Sequence, residues 1–248
     1  FEVPTGVVYG ILGPNGAGTT TTLRMINDIL MPDSGEIRLL GGLPPGHEAA
    51  KRIGYLPEER GLYPKMKVGD VLAFFGQLRG LSRRQARTQA GVWLERLNIA
   101  DWTSNKVQDL SKGMQQKVQF AAALIHDPEL LILDEPWSGL DPINADVLKD
   151  IVVVQKEAGR TILFSTHLMG QAEQICDHVC IMARGRKAVE GRLDELKQAA
   201  AGNVIALRFA SPEDEKRASE GVGERFFASV ETLSSGIEVQ LQDQRTPD

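Results

Sequence analysis

The chain has 248 residues, of which 42% are hydrophobic and 25% are charged. This composition is typical of a folded globular protein of one or two domains, and it excludes a disordered chain, a fibrous repeat and a small disulfide-stapled fold. The formal net charge of −5 argues against a general basic surface, so the sequence predicts no nucleic-acid partner.

Short apolar runs alternate with helical patterns over residues 1–190. This alternation predicts an α/β fold with a mostly parallel sheet covered by helices on both faces. Strands are expected at residues 7–12, 36–40, 53–56, 130–133, 161–164 and 178–183. Helices are expected at residues 20–30, 111–125 and 168–175, with another that begins at Asp141-Pro142.

A helical block interrupts this alternation between residues 68 and 126. Asp70 is predicted to cap a helix over residues 71–78, and Ser82 is predicted to cap the helix that follows. The second helix places its apolar residues on one face, which predicts burial of that face: Ala86, Ala90, Trp93, Leu94 and Leu97. We interpret the block as an inserted helical subdomain.

The composition changes near residue 190. Residues 191–248 carry seven basic and eleven acidic side chains. They also contain strand-like segments at 204–209, 226–230 and 237–241 and a charged helical segment at 212–219. We therefore expect two domains, 1–190 and a small α+β appendage at 191–248. Because the first residues already resemble a strand, the N-terminal strand region is expected to be truncated.

The chain carries no pattern of a secreted or membrane-spanning protein. Cys176 and Cys180 lack zinc-site spacing and are predicted to be reduced structural thiols. No apolar run approaches the roughly 18 residues of a membrane-spanning helix. A cytoplasmic location is expected.

A glycine-rich loop lies between the first predicted strand and the first predicted helix. This context is typical of a phosphate-binding loop, in which backbone N–H groups converge on phosphate oxygens at a helix N-terminus. The candidate nucleotide-binding residues are Gly13, Pro14, Asn15, Gly16, Ala17, Gly18, Thr19, Thr20 and Thr21. Thr19 occupies the position where the pattern ordinarily has lysine.

Polar residues follow two later strands at the sheet edge where ligands bind in open α/β folds. Asp134 and Glu135 end the strand at 130–133, so Asp134 is a candidate magnesium ligand and Glu135 a candidate group to polarise water. His167 ends the strand at 161–164. Residues 110–115 open a helix with a hydroxyl and a glycine, which predicts a second anion site.

Together these features resemble the ATP-binding cassette family, the nucleotide-binding subunits of ABC transporters, over residues 1–190. The matching positions are the Walker A phosphate loop (13–20), the Q-loop position (Glu58), the LSGGQ signature (110–114), the Walker B aspartate (Asp134), the catalytic glutamate (Glu135), the D-loop (138–141) and the switch histidine (His167). The resemblance implies a P-loop, RecA-like three-layer α/β sandwich.

The family implies ATP and Mg²⁺ as the bound molecules, held between two cassettes that face head to tail. Glu135 and His167 would be catalytic, and Asp141 would belong to the D-loop. The metal would be held by Thr20, Asp134 and Glu58. The signature of a second subunit, in an expected homodimer, would act in trans through Ser111, Lys112, Gly113 and Met114.

The resemblance also implies a membrane-spanning permease as partner, which would place the chain peripherally on the cytoplasmic face of the membrane. Residues 54–64, the Lys112-Gly113-Met114 form of the signature and the appended tail resemble the ABC-2-type sodium and drug exporter branch. The predicted function is therefore that of an ATPase subunit that couples ATP hydrolysis to export.

Two alternatives stay open. Thr19 in place of the Walker A lysine favours a hydrolysis-impaired nucleotide-binding or regulatory cassette. A cassette ATPase that acts on DNA or ribosomes predicts a long coiled-coil insertion or a second cassette, whereas the interval between Thr19 and Asp134 has room for one helical block.

Overall fold

The structure is a computed structural model that describes residues 1–59, 61–201, 204–207, 227–233 and 236–241. The chain consists of two compact units, residues 1–193 and residues 194–248. The boundary predicted from the sequence, at residue 190, falls inside a strand that pairs within the first unit. The two units therefore meet in the chain slightly later, after Leu193.

A six-stranded sheet forms the centre of the first unit. In chain order its strands are β1 (Val8–Leu12), β2 (Ile53–Leu56), β3 (Leu130–Asp134), β4 (Thr161–Thr166), β5 (His178–Ala183) and β6 (Arg186–Arg192). They lie in the order β2-β3-β4-β1-β5-β6, and only β6 runs antiparallel to its neighbour. Every residue of β1, β3 and β4 is buried, so both faces of the sheet are covered at its centre.

Helices connect the strands as a parallel sheet requires. They are α1 (Thr19–Ile26), α2 (His47–Ala50), α3 (Val68–Leu78), α4 (Arg83–Arg96), α5 (Lys112–Leu124), α6 (Pro142–Glu157) and α7 (Met169–Ile175). The mostly parallel, helix-covered α/β sandwich predicted from the sequence is confirmed.

The block between β2 and β3 contains α3, α4 and α5 with two short 3-10 turns, Ala100–Trp102 and Val107–Asp109. Ser82 caps α4 by accepting a hydrogen bond from the Gln85 N–H, as predicted. The five apolar residues predicted on one face of this helix are all buried. Asp70 does not cap α3, which begins earlier. The backbone carbonyls of Asn105 and Thr103 accept from Val68 N and Gly69 N, so the helix start needs no side-chain cap.

Two other predictions about elements are wrong, and one strand was not predicted. Residues 36–40 form no strand, because Leu40, Gly41 and Gly42 turn through positive φ and leave only a bridge between Leu39 and Leu43. The first helix ends at Ile26 rather than residue 30, since Asp28 adopts a left-handed φ of +59°. Strand β6 was not predicted, because its polar sequence shows no alternation.

The second unit contains all but the first residue of α8 (Leu193–Ala201) and the strands β7 (Val204–Leu207), β8 (Phe227–Leu233) and β9 (Gly236–Leu241). The three strands form an antiparallel sheet in the order β7-β9-β8. The helix predicted at residues 212–219 lies outside the described residues.

Gly54 lets α5 approach the sheet closely. A Cβ built at Gly54 would lie 2.2 Å from the Ala123 carbonyl oxygen and 2.9 Å from Pro128 Cγ. Gly91 lies on the exposed side of α4, and a Cβ at this position would have no atom within 4 Å outside the backbone of its own helix. A side chain at Gly54 would therefore clash with its neighbours, whereas one at Gly91 would not.

We predict that Gly54→Ala lowers the free energy of unfolding of the first unit by about 2 kcal/mol or more, because α5 must move away from β2. Gly91→Ala is the matched control and should raise it by about 0.5–1 kcal/mol, because alanine favours the helix. Urea unfolding followed by tryptophan fluorescence measures both, since Trp93, Trp102 and Trp137 all belong to this unit. Equal effects of the two substitutions would contradict the close approach.

Candidate functional site

The glycine-rich loop joins β1 to α1 through a tight turn. Gly16 and Gly18 have φ angles of +81° and +101°, and Gly18 is the N-cap of α1. The first helical hydrogen bond runs from Thr22 N–H to the Gly18 carbonyl, at 2.9 Å. The N–H groups of Thr19, Thr20 and Thr21 precede that bond and have no acceptor within the helix. They form the kind of helix N-terminus that attracts an anion.

Asp134 lies at the carboxyl end of β3 beneath this loop. Its Oδ1 atom accepts hydrogen bonds from Thr20 Oγ1 at 3.2 Å and from Ser165 Oγ at 2.5 Å. The residue is 1% exposed. The two hydroxyls come from α1 and β4, so Asp134 joins the phosphate loop to the neighbouring strand.

Glu135 directly follows Asp134 in a left-handed conformation with φ of +47°. This conformation is strained for a residue with a side chain, and such strain is concentrated at functional sites. The backbone N–H of Glu135 donates to Ser165 Oγ at 3.2 Å. Its carboxylate Oε1 lies 2.9 Å from the His167 backbone N and 2.7 Å from His167 Nδ1. Glu135 and His167, each predicted to be catalytic, are therefore in direct contact.

The residues around Asp134 fit a magnesium ion. Asp134 Oδ2 is buried and has no hydrogen-bond partner among the described residues. A buried carboxylate oxygen without a partner is costly, and a cation removes that cost. Mg²⁺ is commonly held by one or two oxygen ligands together with substrate phosphates, which matches Thr20 and Asp134. The described residues contain no cluster of three or more His, Cys, Asp and Glu side chains for an all-protein metal site.

Glu58 lies exposed in the loop after β2, and no hydrogen bond or ion pair is described between its carboxylate and Asp134. The loop itself is anchored from α5, because Gln119 Nε2 donates to the carbonyls of Pro57 at 3.2 Å and Glu59 at 3.0 Å. Nearby, burial and the charge of Asp134 raise the pKa of Tyr55 to about 12. Tyr55 is therefore a neutral phenol beside the carboxylate site.

The signature residues face a different part of the fold. Ser111 caps α5 by accepting from Met114 N–H at 3.2 Å. A Cβ at Gly113 would lie 3.1 Å from Asn144 Nδ2, at the start of α6. Within the described part of the chain, no hydrogen bond joins residues 111–114 to the phosphate loop.

Asp141, predicted in the D-loop, caps α6. Its carboxylate accepts from the Asn144 side-chain amide at 2.6 Å and from the Asn144 N–H at 3.0 Å. These two hydrogen bonds lower the pKa of Asp141. Asp141 and Gly113 thus contact the same asparagine.

Sequence reasoning missed the role of Ser165. It pairs with Asp134 in the parallel register of β3 and β4, and its hydroxyl contacts both candidate carboxylate residues. The sequence did carry a signal for this contact, because Asp134 and Ser165 each follow an apolar strand and the two strands were predicted to be parallel. Gln119 was also missed, because a buried glutamine inside a helix gives no motif.

Among the described residues, no helix combines the length and the apolar character that crossing a membrane requires.

Comparison with known proteins identifies the family of the chain. Residues 1–138 match the family described as ABC transporter. The chain is 50% identical to an uncharacterized ABC transporter ATP-binding protein of Bacillus subtilis, over 80% of this chain and 66% of that protein. It is 41% identical to a Nod factor export ATP-binding protein of Cupriavidus metallidurans, over 79% of this chain and 65% of that protein. The chain therefore spans about two thirds of the length of these curated relatives.

A solved structure described as the ATP binding subunit of an ABC transporter is also similar. It superimposes with a TM-score of 0.73 at 31% sequence identity, covering 81% of this chain and 85% of that chain.

Proposed function

The chain belongs to the ABC transporter ATP-binding family, and from that premise we propose that it couples Mg-ATP binding and hydrolysis to export through a separate membrane-spanning permease. The observation that carries the proposal is the grouping of Asp134, Glu135 and His167 at the sheet edge beside the phosphate loop. The name of the Nod factor export relative supports the direction of transport.

The chain's own residues divide the work of the proposed reaction. The N–H groups at the start of α1 bind the phosphates of ATP. Thr20 and Asp134 would hold Mg²⁺, and the bound ion would supply positive charge that offsets the charge of the phosphates. Glu135 accepts the proton of the attacking water, and the imidazole and backbone N–H of His167 orient its carboxylate. The short contact between Glu135 and His167 supports these roles.

A second copy of the chain completes the site in this proposal. Ser111, Lys112, Gly113 and Met114 would reach the nucleotide of the partner copy. The absence of a described hydrogen bond between these residues and the phosphate loop of their own chain supports an action in trans. Asp141 and Gly113 meet at Asn144, so the D-loop and the signature would present one continuous surface to the second copy.

We assign the permease contact to an aromatic cluster formed by the exposed Tyr63 and the partly buried Phe74 and Phe75. Tyr63 is 49% exposed, and its ring centroid lies 5.5 Å from Phe74 and 6.2 Å from Phe75. In the chain, the cluster comes after the loop at residues 57–59. Gln119 of α5 holds this loop by a hydrogen bond, and Ser111 caps the same helix. A permease bound here would act on the signature through α5, with the chain peripheral on the cytoplasmic face of the membrane.

Thr19 favours a second candidate function, a cassette that binds nucleotide and hydrolyses it slowly or not at all. Threonine carries no charge and is shorter than lysine, so the phosphates lose a charge-assisted hydrogen bond worth about 1.5–3 kcal/mol. A regulatory role would then rest on binding alone. A cassette acting on DNA or ribosomes gains no support, because the described residues of the inserted block form α3, α4, α5 and two short turns and no long coiled coil.

We predict that Thr19→Lys raises ATP turnover by about 10² or more, because it restores one preorganised cation at the phosphates. Glu135→Gln in the Thr19→Lys background should abolish this gain and leave Mg-ATP affinity unchanged, since Glu135 acts on water. Steady-state phosphate release and equilibrium binding measure the two effects.

The control for the added charge is Thr88→Lys, on the exposed side of α4. It should leave turnover at the level of the original chain. Equal turnover in the original chain and the Thr19→Lys variant would contradict the proposed role of this position.

We also predict that the Thr19→Lys, Glu135→Gln double variant doubles in mass when Mg-ATP is added. ATP then bridges two copies and is not hydrolysed. Sedimentation velocity with Mg-ATP, with ATP and a chelator, and without nucleotide measures the mass. A monomer at saturating Mg-ATP, under conditions where binding is observed, would refute the paired site.

A further inference from the structure

The turn between β5 and β6 packs directly on the phosphate loop. Gly185 N–H donates to the Ala17 carbonyl at 2.9 Å. A Cβ at Gly18 would lie 3.5 Å from Gly185 Cα and 3.6 Å from Met182 Cε. Gly18 is the N-cap of α1, so this hairpin turn touches the start of the phosphate helix.

Arg184 is the first residue of that two-residue turn. Ala183 pairs with Arg186 across it, and Arg184 and Gly185 have φ angles of +51° and +73°. Positive φ at both central residues is the property of a type I′ turn, where asparagine or glycine is preferred at the first position. Arg184 therefore adopts a backbone conformation that is unfavourable for arginine.

The Arg184 side chain is exposed, and within the described part of the chain it forms no ion pair or side-chain hydrogen bond. The neighbouring basic residue of the hairpin is different, because Lys187 pairs with Glu190. Arg184 therefore places an uncommitted guanidinium, on a long side chain, next to a loop that lacks a cation at Thr19. Independently, Asp134 Oδ2 is buried and unpartnered, which fits a cation bound beside this loop, since the same carboxylate accepts a hydrogen bond from Thr20.

We propose that Arg184 binds the phosphates of the nucleotide and supplies, from the β5–β6 hairpin, a positive charge that the phosphate loop lacks at Thr19. The inference rests on the proposed function of the loop as an ATP site. Guanidinium groups bind phosphate oxygens through charge-assisted hydrogen bonds. On a chain of net charge −5, a nearby cation also offsets the repulsion of an anionic nucleotide.

The test is equilibrium binding of Mg-ATP to the 248-residue chain and to three variants. Arg184→Asn removes the charge and suits the turn, so it should keep the unfolding midpoint in urea and weaken binding about tenfold. Arg184→Lys keeps the charge and should recover most of the affinity. Arg186→Gln removes a charge from the same hairpin, within β6, and should leave affinity unchanged.

A double-mutant cycle with Thr19→Lys separates phosphate binding from a structural role. If both cations serve the same phosphates, Arg184→Asn should weaken binding by only about twofold in the Thr19→Lys background. The same loss in both backgrounds would overturn the proposal, because a structural defect is independent of Thr19. So would unchanged affinity of Arg184→Asn in a chain that binds Mg-ATP. No Mg-ATP binding by either the original chain or Thr19→Lys would overturn the proposed function itself, and this inference with it.

Discussion

The Ser165 hydroxyl holds the two adjacent acidic residues of the site in place. It donates to Asp134 at 2.5 Å and accepts from the Glu135 N–H at 3.2 Å. The parallel register that pairs Asp134 with Ser165 brings the hydroxyl there, so sheet packing determines the geometry of the carboxylates. One carboxylate then faces Thr20 and the phosphate loop, while Glu135, in its left-handed conformation, faces His167. Two neighbouring residues thereby obtain different chemical roles.

Helix α5 connects this site to the rest of the first unit. Gln116 donates to the Pro136 carbonyl just after the carboxylates, and Gln119 donates to the carbonyls of Pro57 and Glu59. The helix begins at the Ser111 cap and packs closely on Gly54 of β2. The buried side-chain amides of Gln116 and Gln119 thus link α5 to the turn after the Walker B aspartate and to the loop before the inserted block.

The sequence predicted those features that depend on local patterning. Apolar runs located five of the six strands in the first unit, and Ser82 and Asp141 located helix starts, because caps act within one turn. Features that depend on distant partners were not predicted. The start of α3 is satisfied by carbonyls more than thirty residues later, so Asp70 was misassigned. Ser165 acquires its role only through strand register, and the contact of the β5–β6 turn with the phosphate loop has no sequence motif.

We propose that Asp134, aligned by Ser165, forms a metal site that is completed by a bound nucleotide. The most direct measurement is electron paramagnetic resonance of Mn²⁺, a stand-in for Mg²⁺ that accepts the same oxygen ligands. In the presence of ATP we expect Asp134→Asn to weaken Mn²⁺ binding to the chain by about tenfold or more, and Ser165→Ala to weaken it less. Asp150→Asn, on the exposed side of α6, should bind like the original chain. Equal Mn²⁺ binding by Asp134→Asn and Asp150→Asn would contradict this proposal.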